Sequence, residues 1–228
     1  LKTKQNLNLC ISALVQCMPK KKQQKMSVVK VLAILGSPHV NGNTDKMLTA
    51  YCEGLAKAAE GNKDIKVEIN KVVLSQKRFS PCKYCAACHK SGSGCVQKDD
   101  VTELLNEVVE SDIIVHAVPI WFFGAPGYFK GYVDRWTSLY VESWESFRPD
   151  IADKMKGKVM AGMADCGDSN HKEMCASTIE LLKAMGTFIP DHMKWAGGVS
   201  CCCYDMGAAL KDCTKLGADS LDLFLKKK

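Results

Sequence analysis

The sequence predicts an α/β protein built on a doubly wound, five-stranded parallel sheet, and three observations predict it. Apolar runs alternate five times with segments of helical period from Val28 to the C-terminus. VVKVLAIL (Val28–Leu35) and IIVHAVPI (Ile113–Ile120) are almost continuously apolar, as strands covered on both faces must be. No internal repeat and no domain-scale linker interrupts the alternation.

The first strand, Val28–Leu35, stops at Gly36. Thr44–Glu60 follows as a helix, because Met47, Leu48, Tyr51, Cys52 and Leu55 recur three and four apart and share one face. Ile65–Leu74 reads as the second strand. Asp100 is placed to cap a helix ending near Glu110, with Glu103 reaching back, and Leu104, Leu105, Val108 and Val109 form its buried stripe. Ile113–Ile120 is the third strand and Tyr128–Tyr140 the next helix. Lys158–Ala164 is a shorter fourth strand. A helix over Lys172–Met185 carries Cys175, Thr178, Ile179 and Leu182 on one side. Met193–Cys201 is the fifth strand, and Met206–Leu225 closes the chain as an amphipathic helix with Leu210, Cys213, Leu221 and Phe224.

The chain has 228 residues, 46% hydrophobic and 25% charged, enough for one sizeable core. Its apolar runs are too short and too interrupted by charge for a membrane helix. The formal charge of +6 is unevenly placed: nine lysines lie in residues 1–25 and 226–228. Set aside, they leave 22 basic against 25 acidic side chains, a balance of −3, which argues against an extended nucleic-acid surface. Residues 1–25 read as a disordered leader, an expression remnant or an upstream translation artefact ahead of Met26. The folded unit is expected over 26–228, with a cysteine-rich loop at 75–99. LCISALVQCM is followed by KKKQQK and not by a small-residue cleavage site. The 13 cysteines therefore point to a reducing cytoplasm with thiols free or metal-bound.

In such a sheet the loops after the strands share the carboxyl rim, where ligands bind. Four loops qualify: Gly36–Asn43, Ser75–Asp99, Pro119–Gly127 and Asp165–His171. All are expected to be brought together. GSPHVNGNT (Gly36–Thr44) lacks both the dinucleotide and the ATP-loop spacing, but it is rich in donors and enters a helix N-terminus. Ser37, Asn43 and Thr44 can donate to a phosphate, and Gly42 allows close approach; a plain capped turn is the other reading. In PIWFFGAPGYFKGYVDRW (Pro119–Trp136), Trp121 and Phe122 suit a flat ligand, whereas Phe129 and Trp136 suit packing under the helix.

Cys82, Cys85, Cys88 and Cys95 are spaced C-x2-C-x2-C-x6-C. Three thiolates two residues apart can wrap one corner of a compact cluster, and Gly92 and Gly94 permit the bend that returns the fourth. This favours a [4Fe–4S] cluster. Zinc, with His89 as a spare ligand, and uncomplexed thiols are the alternatives. Cys52, Cys175 and Cys213 read as core. Cys201, Cys202 and Cys203, being consecutive, do not suit one centre. Cys166, on the loop after the fourth strand, is a candidate for a redox role. His116 reads as a core side chain.

GSPHVNGNT, CKYCAACHKSGSGCVQKDD and PIWFFGAPGYFKGYVDR, in that order, resemble the NADPH-dependent FMN reductase group of flavodoxin-like proteins, and especially its iron–sulfur flavoprotein branch. The resemblance runs from about Val28 to the end and is vague after Lys158. It implies FMN, with the phosphate on Ser37, Asn43 and Thr44 and the ring against Pro119, Ile120, Trp121, Phe122 and Gly124. His39 stands where the family usually has arginine, so one neutral donor replaces a charged fork and phosphate affinity is expected to be lower or pH-sensitive. The resemblance also implies a homodimer or homotetramer in which the cluster approaches a neighbour's flavin. The expected function is electron relay from ferredoxin or NAD(P)H to an acceptor. A cluster-free NAD(P)H-dependent FMN or quinone reductase and a non-catalytic flavodoxin-like carrier are the alternatives.

Overall fold

The computed structural model describes residues 26–168 and 172–226. The proposed leader, the last two lysines and the His171 end of the fourth rim loop lie outside the described residues. Five strands form one parallel sheet: β1 (Ser27–Leu35), β2 (Ile65–Val73), β3 (Ile113–Pro119), β4 (Val159–Cys166) and β5 (Lys194–Cys202). Their order is β2-β1-β3-β4-β5, so β1 pairs with both β2 and β3 and the direction of winding switches between β1 and β3. That is the position at which such sheets open a crevice. β3 and β4 are buried along their whole length, which explains their apolar composition.

Among the described residues there are seven helices: α1 (Asn43–Glu60), α2 (Ala87–Ser91), α3 (Asp100–Glu110), α4 (Gly127–Arg135), α5 (Ala152–Met155), α6 (Lys172–Thr187) and α7 (Met206–Leu225). α3, α4 and α6 pack one face through Leu104, Val108, Phe129, Tyr132 and Leu182. α1 and α7 pack the other through Met47, Leu48, Tyr51, Leu55, Cys213 and Leu221. α1 and α7 touch at backbone distance. A Cβ on Gly54 would strike the Thr214 carbonyl, and one on Gly217 would strike that of Tyr51.

Several boundaries differ from the sequence expectation. The α3 cap is Asp99, one residue before the expected Asp100: its Oδ1 accepts from the Thr102 N–H at 3.2 Å. Asp100 instead accepts from the Arg78 N–H at 2.7 Å. The helix expected over Tyr128–Tyr140 is α4 followed by a tighter 3-10 turn, Trp136–Leu139. β4 runs two residues past Ala164, so Cys166 is a buried strand end and not a loop residue. α2 and α5, of five and four residues, are too short for a periodic signal. Cys213 and Cys175 are core as expected, while Cys52 is half-buried.

Candidate functional site

The phosphate-loop candidate begins where β1 ends. Ser37 is buried and its Oγ accepts from the His39 N–H at 3.2 Å. Asn41 adopts φ 65°, and its N–H reaches Asp45 Oδ2 at 2.8 Å. Gly42 is the N-cap of α1 and therefore brings no side-chain cap. An 18-residue helix thus presents its leading N–H groups at Asn43 and Thr44 without a capping side chain. The Thr44 hydroxyl is engaged elsewhere, donating to Asp165 Oδ1 at 2.5 Å. What Thr44 offers a ligand is its backbone.

The aromatic bend meets this loop directly. The rings of His39 and Trp121 lie 6.4 Å apart, and the Tyr128 hydroxyl donates to the Gly36 carbonyl at 2.8 Å. Pro119 ends β3, and the Ile120 N–H is held by the Asp165 carbonyl at 2.8 Å. Trp121 and Gly124 exchange two backbone hydrogen bonds across a two-residue turn. Phe122 and Phe123 form that turn at φ 42° and 68°, a region that bulky residues rarely occupy. Phe122 is 97% exposed and Trp121 42%, a free aromatic surface beside the uncapped helix. Phe129 and Trp136 are buried under the helix, as expected.

Asp165 joins the two loops from beneath. It is buried, and burial raises its carboxyl above the usual range while the Thr44 hydroxyl pulls the other way. His116 lies wholly buried in β3, its Nε2 3.1 Å from the Tyr132 hydroxyl; burial lowers its pKa to about 3. It serves the core, in line with its reading.

The four loop cysteines do not join the rim. They line a cavity of about 90 Å³ whose other walls include His89, Arg135, Thr137, Glu142 and Trp144, beyond the far end of α4. α4 begins directly after the aromatic bend and ends at Arg135 on the cavity wall, so about 13 Å of helix lies between them. The expectation that all four loops converge is therefore corrected: topology places the ends of the 75–99 loop, and its 25-residue length lets the middle travel.

Arg135, which sequence reading missed, fastens this loop. Fully buried, it donates through Nη1 to the Ser80 carbonyl at 2.9 Å and Asp99 Oδ2 at 2.8 Å. Nη2 reaches Asp99 Oδ1 at 3.0 Å, Thr102 Oγ1 at 2.8 Å and the Gln97 carbonyl at 3.4 Å. Both feet of the cysteine loop are thus tied to one guanidinium. Burial alone would lower its pKa, but Asp99 and the Cys95 sulfur more than offset that. The same pair holds the Asp99 carboxyl below its usual range against the opposing effect of burial.

The loop backbone is left-handed at Tyr84, Ala86, Gly92 and Gly94 (φ 50°, 55°, 62° and 92°). Left-handed residues alternating with ordinary ones turn successive N–H groups inward, the concavity that anionic clusters use. Gly94 also lies close to Arg148: a Cβ there would be 2.6 Å from its Nη1, so the guanidinium would have to shift. Burial raises the Cys88 thiol pKa. Two buried nitrogens on the cavity wall, Arg135 Nε and His89 Nδ1, have no hydrogen-bond partner. Unpartnered polar nitrogens beside four thiols fit a sulfur-rich anion. No group of three or more His, Cys, Asp or Glu among the described residues is arranged to hold a single metal ion. A cubane, which keeps its four thiolates apart at separate corners, makes a different demand.

Fold and site define a flavodoxin-like α/β protein with a donor-rich, aromatic rim at the β1/β3 switch and a separate four-cysteine cavity. The chain belongs to the NADPH-dependent FMN reductase family, whose description it matches over residues 29–199. Within that family it is similar to proteins named iron–sulfur flavoprotein. One from Archaeoglobus fulgidus is 30% identical over 69% of this chain and 64% of its own length. Another, from Methanocaldococcus jannaschii, is 33% identical over 50% and 54%. These matches span less than two thirds of either relative. Among solved structures, an azoreductase from Bacillus anthracis str. Sterne superposes with a TM-score of 0.59 over 83% of this chain and 99% of its own. At 14% identity this speaks for the fold alone. No helix among the described residues is long and apolar enough to cross a membrane.

Proposed function

We propose that the protein is an FMN-dependent oxidoreductase carrying a [4Fe–4S] cluster on Cys82, Cys85, Cys88 and Cys95. It relays electrons from ferredoxin or NAD(P)H to an acceptor such as a quinone, an oxygen species or another redox protein. The observation that carries the cluster is the meeting of four thiols with two orphaned buried nitrogens, Arg135 Nε and His89 Nδ1, at one cavity. Bound FMN handles one or two electrons and a cluster one. The chain's own residues bind and orient. The Asn43 and Thr44 N–H groups would hold the phosphate, with Ser37 and His39 beside them. Trp121 and Phe122 would shield the ring, with Pro119, Ile120 and Gly124 shaping the bend. Arg135 fixes the cysteine loop and offsets the negative charge that four thiolates bring.

The assembly proposed with this function is a homodimer or homotetramer in which one copy's cysteine loop faces its neighbour's flavin. The helix-length gap within one chain supports it. A reducing cytoplasm is the proposed location, and the 11 cysteines among the described residues are all unpaired.

Anaerobic purification with flavin, iron and acid-labile sulfide analysis on one sample tests the reading. About four irons and four sulfides per chain, together with FMN, are expected. Zinc, or no metal, removes the cluster. A sample that stays colourless when FMN is supplied removes the flavin. A second reading, a cluster-free NAD(P)H-dependent FMN or quinone reductase, draws support from a flavin rim that needs nothing from the cysteine loop. Under it, NAD(P)H turnover survives Cys82→Ser with Cys88→Ser; under the first, ferredoxin-linked activity is lost.

A further inference from the structure

The bend between β3 and α4 ends in an aromatic tip. Phe122 and Phe123 sit at φ 42° and 68° with ring centroids 5.5 Å apart, and Phe122 is almost fully exposed. Phe122 thus offers a large apolar ring from a backbone conformation that bulky residues avoid. The other end of α4 carries a complement. An apolar groove of about 260 Å³ runs between the end of α4 and α6, walled by Val133, Tyr140, Trp144, Leu181, Met185 and Phe188. Tyr140 and Trp144 stack there with centroids 5.8 Å apart, and Phe188 stands edge-on to both. An apolar cavity of roughly 150 Å³ takes a benzene ring, so this groove has room for a phenyl side chain. Between tip and groove, the outer face of α4 presents Lys130 and Asp134, an exposed i,i+4 ion pair.

We propose that a second copy of this chain covers the groove, with Phe122 of each copy seated in the groove of the other. This names the surface of the assembly proposed above, and it rests on that reading only for the cofactors the contact brings together. The layout of α4 selects a second copy as the occupant. A two-fold axis crossing the helix midway between Lys130 and Asp134 lays two copies antiparallel, which carries the start of each helix to the end of the other. Each tip then meets a groove and each groove a tip, so the contact closes on itself. The same axis sets Lys130 opposite the partner's Asp134, and Asp134 opposite the partner's Lys130, a self-complementary charge pair beside an apolar contact. Trp144 ties the contact to the chemistry, because its indole lines both the groove and the four-cysteine cavity. A seated Phe122 puts one copy's aromatic rim across a single indole from the other copy's thiols. In one chain Phe122 is turned to solvent; the partner's groove fixes it, so the aromatic wall of the rim is complete only in the pair.

The test measures the mass in solution of the anaerobically purified full chain by sedimentation velocity, with flavin and iron assayed on the same sample. The parent is expected at twice the chain mass or four times it, and Phe122→Asp and Phe188→Asp are each expected to halve it. Each lost tip–groove contact weakens the pair about thirtyfold, and a pure variant loses two, roughly 1,000-fold in affinity. An equimolar mixture of the two variants keeps one intact tip and one intact groove in every mixed pair. It is expected to recover assembly to within about thirtyfold of the parent. Phe122 packs so little that Phe122→Asp keeps the fold, and aspartate accepts a left-handed φ more readily than phenylalanine. Circular-dichroism melting checks both variants. Lys130→Glu weakens the pair, and adding Asp134→Lys restores it. A monomeric parent, a variant that assembles like the parent, or a mixture that fails to recover overturns the contact. No response to the Lys130 reversal overturns the antiparallel alignment. A monomer that carries flavin and iron overturns this interface alone, whereas an assembly that carries neither upholds it and removes the relay.

Discussion

Asp165 is a buried carboxylate next to the loop proposed to hold a phosphate. Its folded pKa is raised, so whatever stability its protonation contributes is complete below about pH 4 and is lost as pH rises through the folded value. Asp165→Asn keeps an acceptor for Thr44 and removes the charge. At neutral pH the variant is expected to be more stable than the parent in denaturant unfolding, with little change near pH 4. Its apoprotein should bind FMN about fivefold more tightly in a flavin-fluorescence titration, because one negative charge near the phosphate has gone. His116 has the opposite sign. Its folded pKa is depressed to about 3, so its contribution is intact above about pH 6.5 and is lost as pH falls towards 3. Each pH unit in that window weakens the fold by up to ~1.4 kcal/mol. His116→Gln is expected to flatten the acid side of a Tm–pH profile.

Among the elements, the cysteine loop depends on Arg135. Replacing it with methionine leaves Asp99 without its cation and two carbonyls without their donor, a change that costs about 3–5 kcal/mol. Limited proteolysis should then cut within residues 80–98, and Arg135→Lys should restore part of the protection. α1 and α7 are vulnerable in another way. Gly54→Ala or Gly217→Ala drives a methyl group into a facing carbonyl, and either is expected to destabilise by about 1–3 kcal/mol in chemical denaturation. The strands and long helices were legible because burial on both sheet faces forces apolar runs and one-sided packing forces a helical period. β4 was read two residues short because Asp165 breaks its apolar run, and the partner that accommodates that carboxylate, Thr44, lies 121 residues away. Arg135 was invisible for the same reason: its partners lie 33 to 55 residues upstream. One signal was present. Phe129, Tyr132 and Arg135 recur every third residue on a face that is otherwise apolar.

At the scale of the molecule, the turn after β1, the bend after β3 and Asp165, which opens the fourth expected loop, meet, and none of them lines the cavity of the four cysteines. The turn after β1 and the bend after β3 flank the winding switch, so topology alone brings them together. The cysteines sit mid-loop, and where they settle follows from Arg135 and the turn after α4, which no pattern of strands and helices specifies. α4 therefore acts as a spacer, and the consequence is chemical independence. If the proposed cluster and flavin are both bound, air or a chelator that strips iron from the thiols would act a helix away from the riboflavin moiety, and bleached protein should keep its yellow chromophore at unchanged stoichiometry. Each prosthetic group can then be removed and restored on its own, and the share of turnover owed to either can be weighed separately.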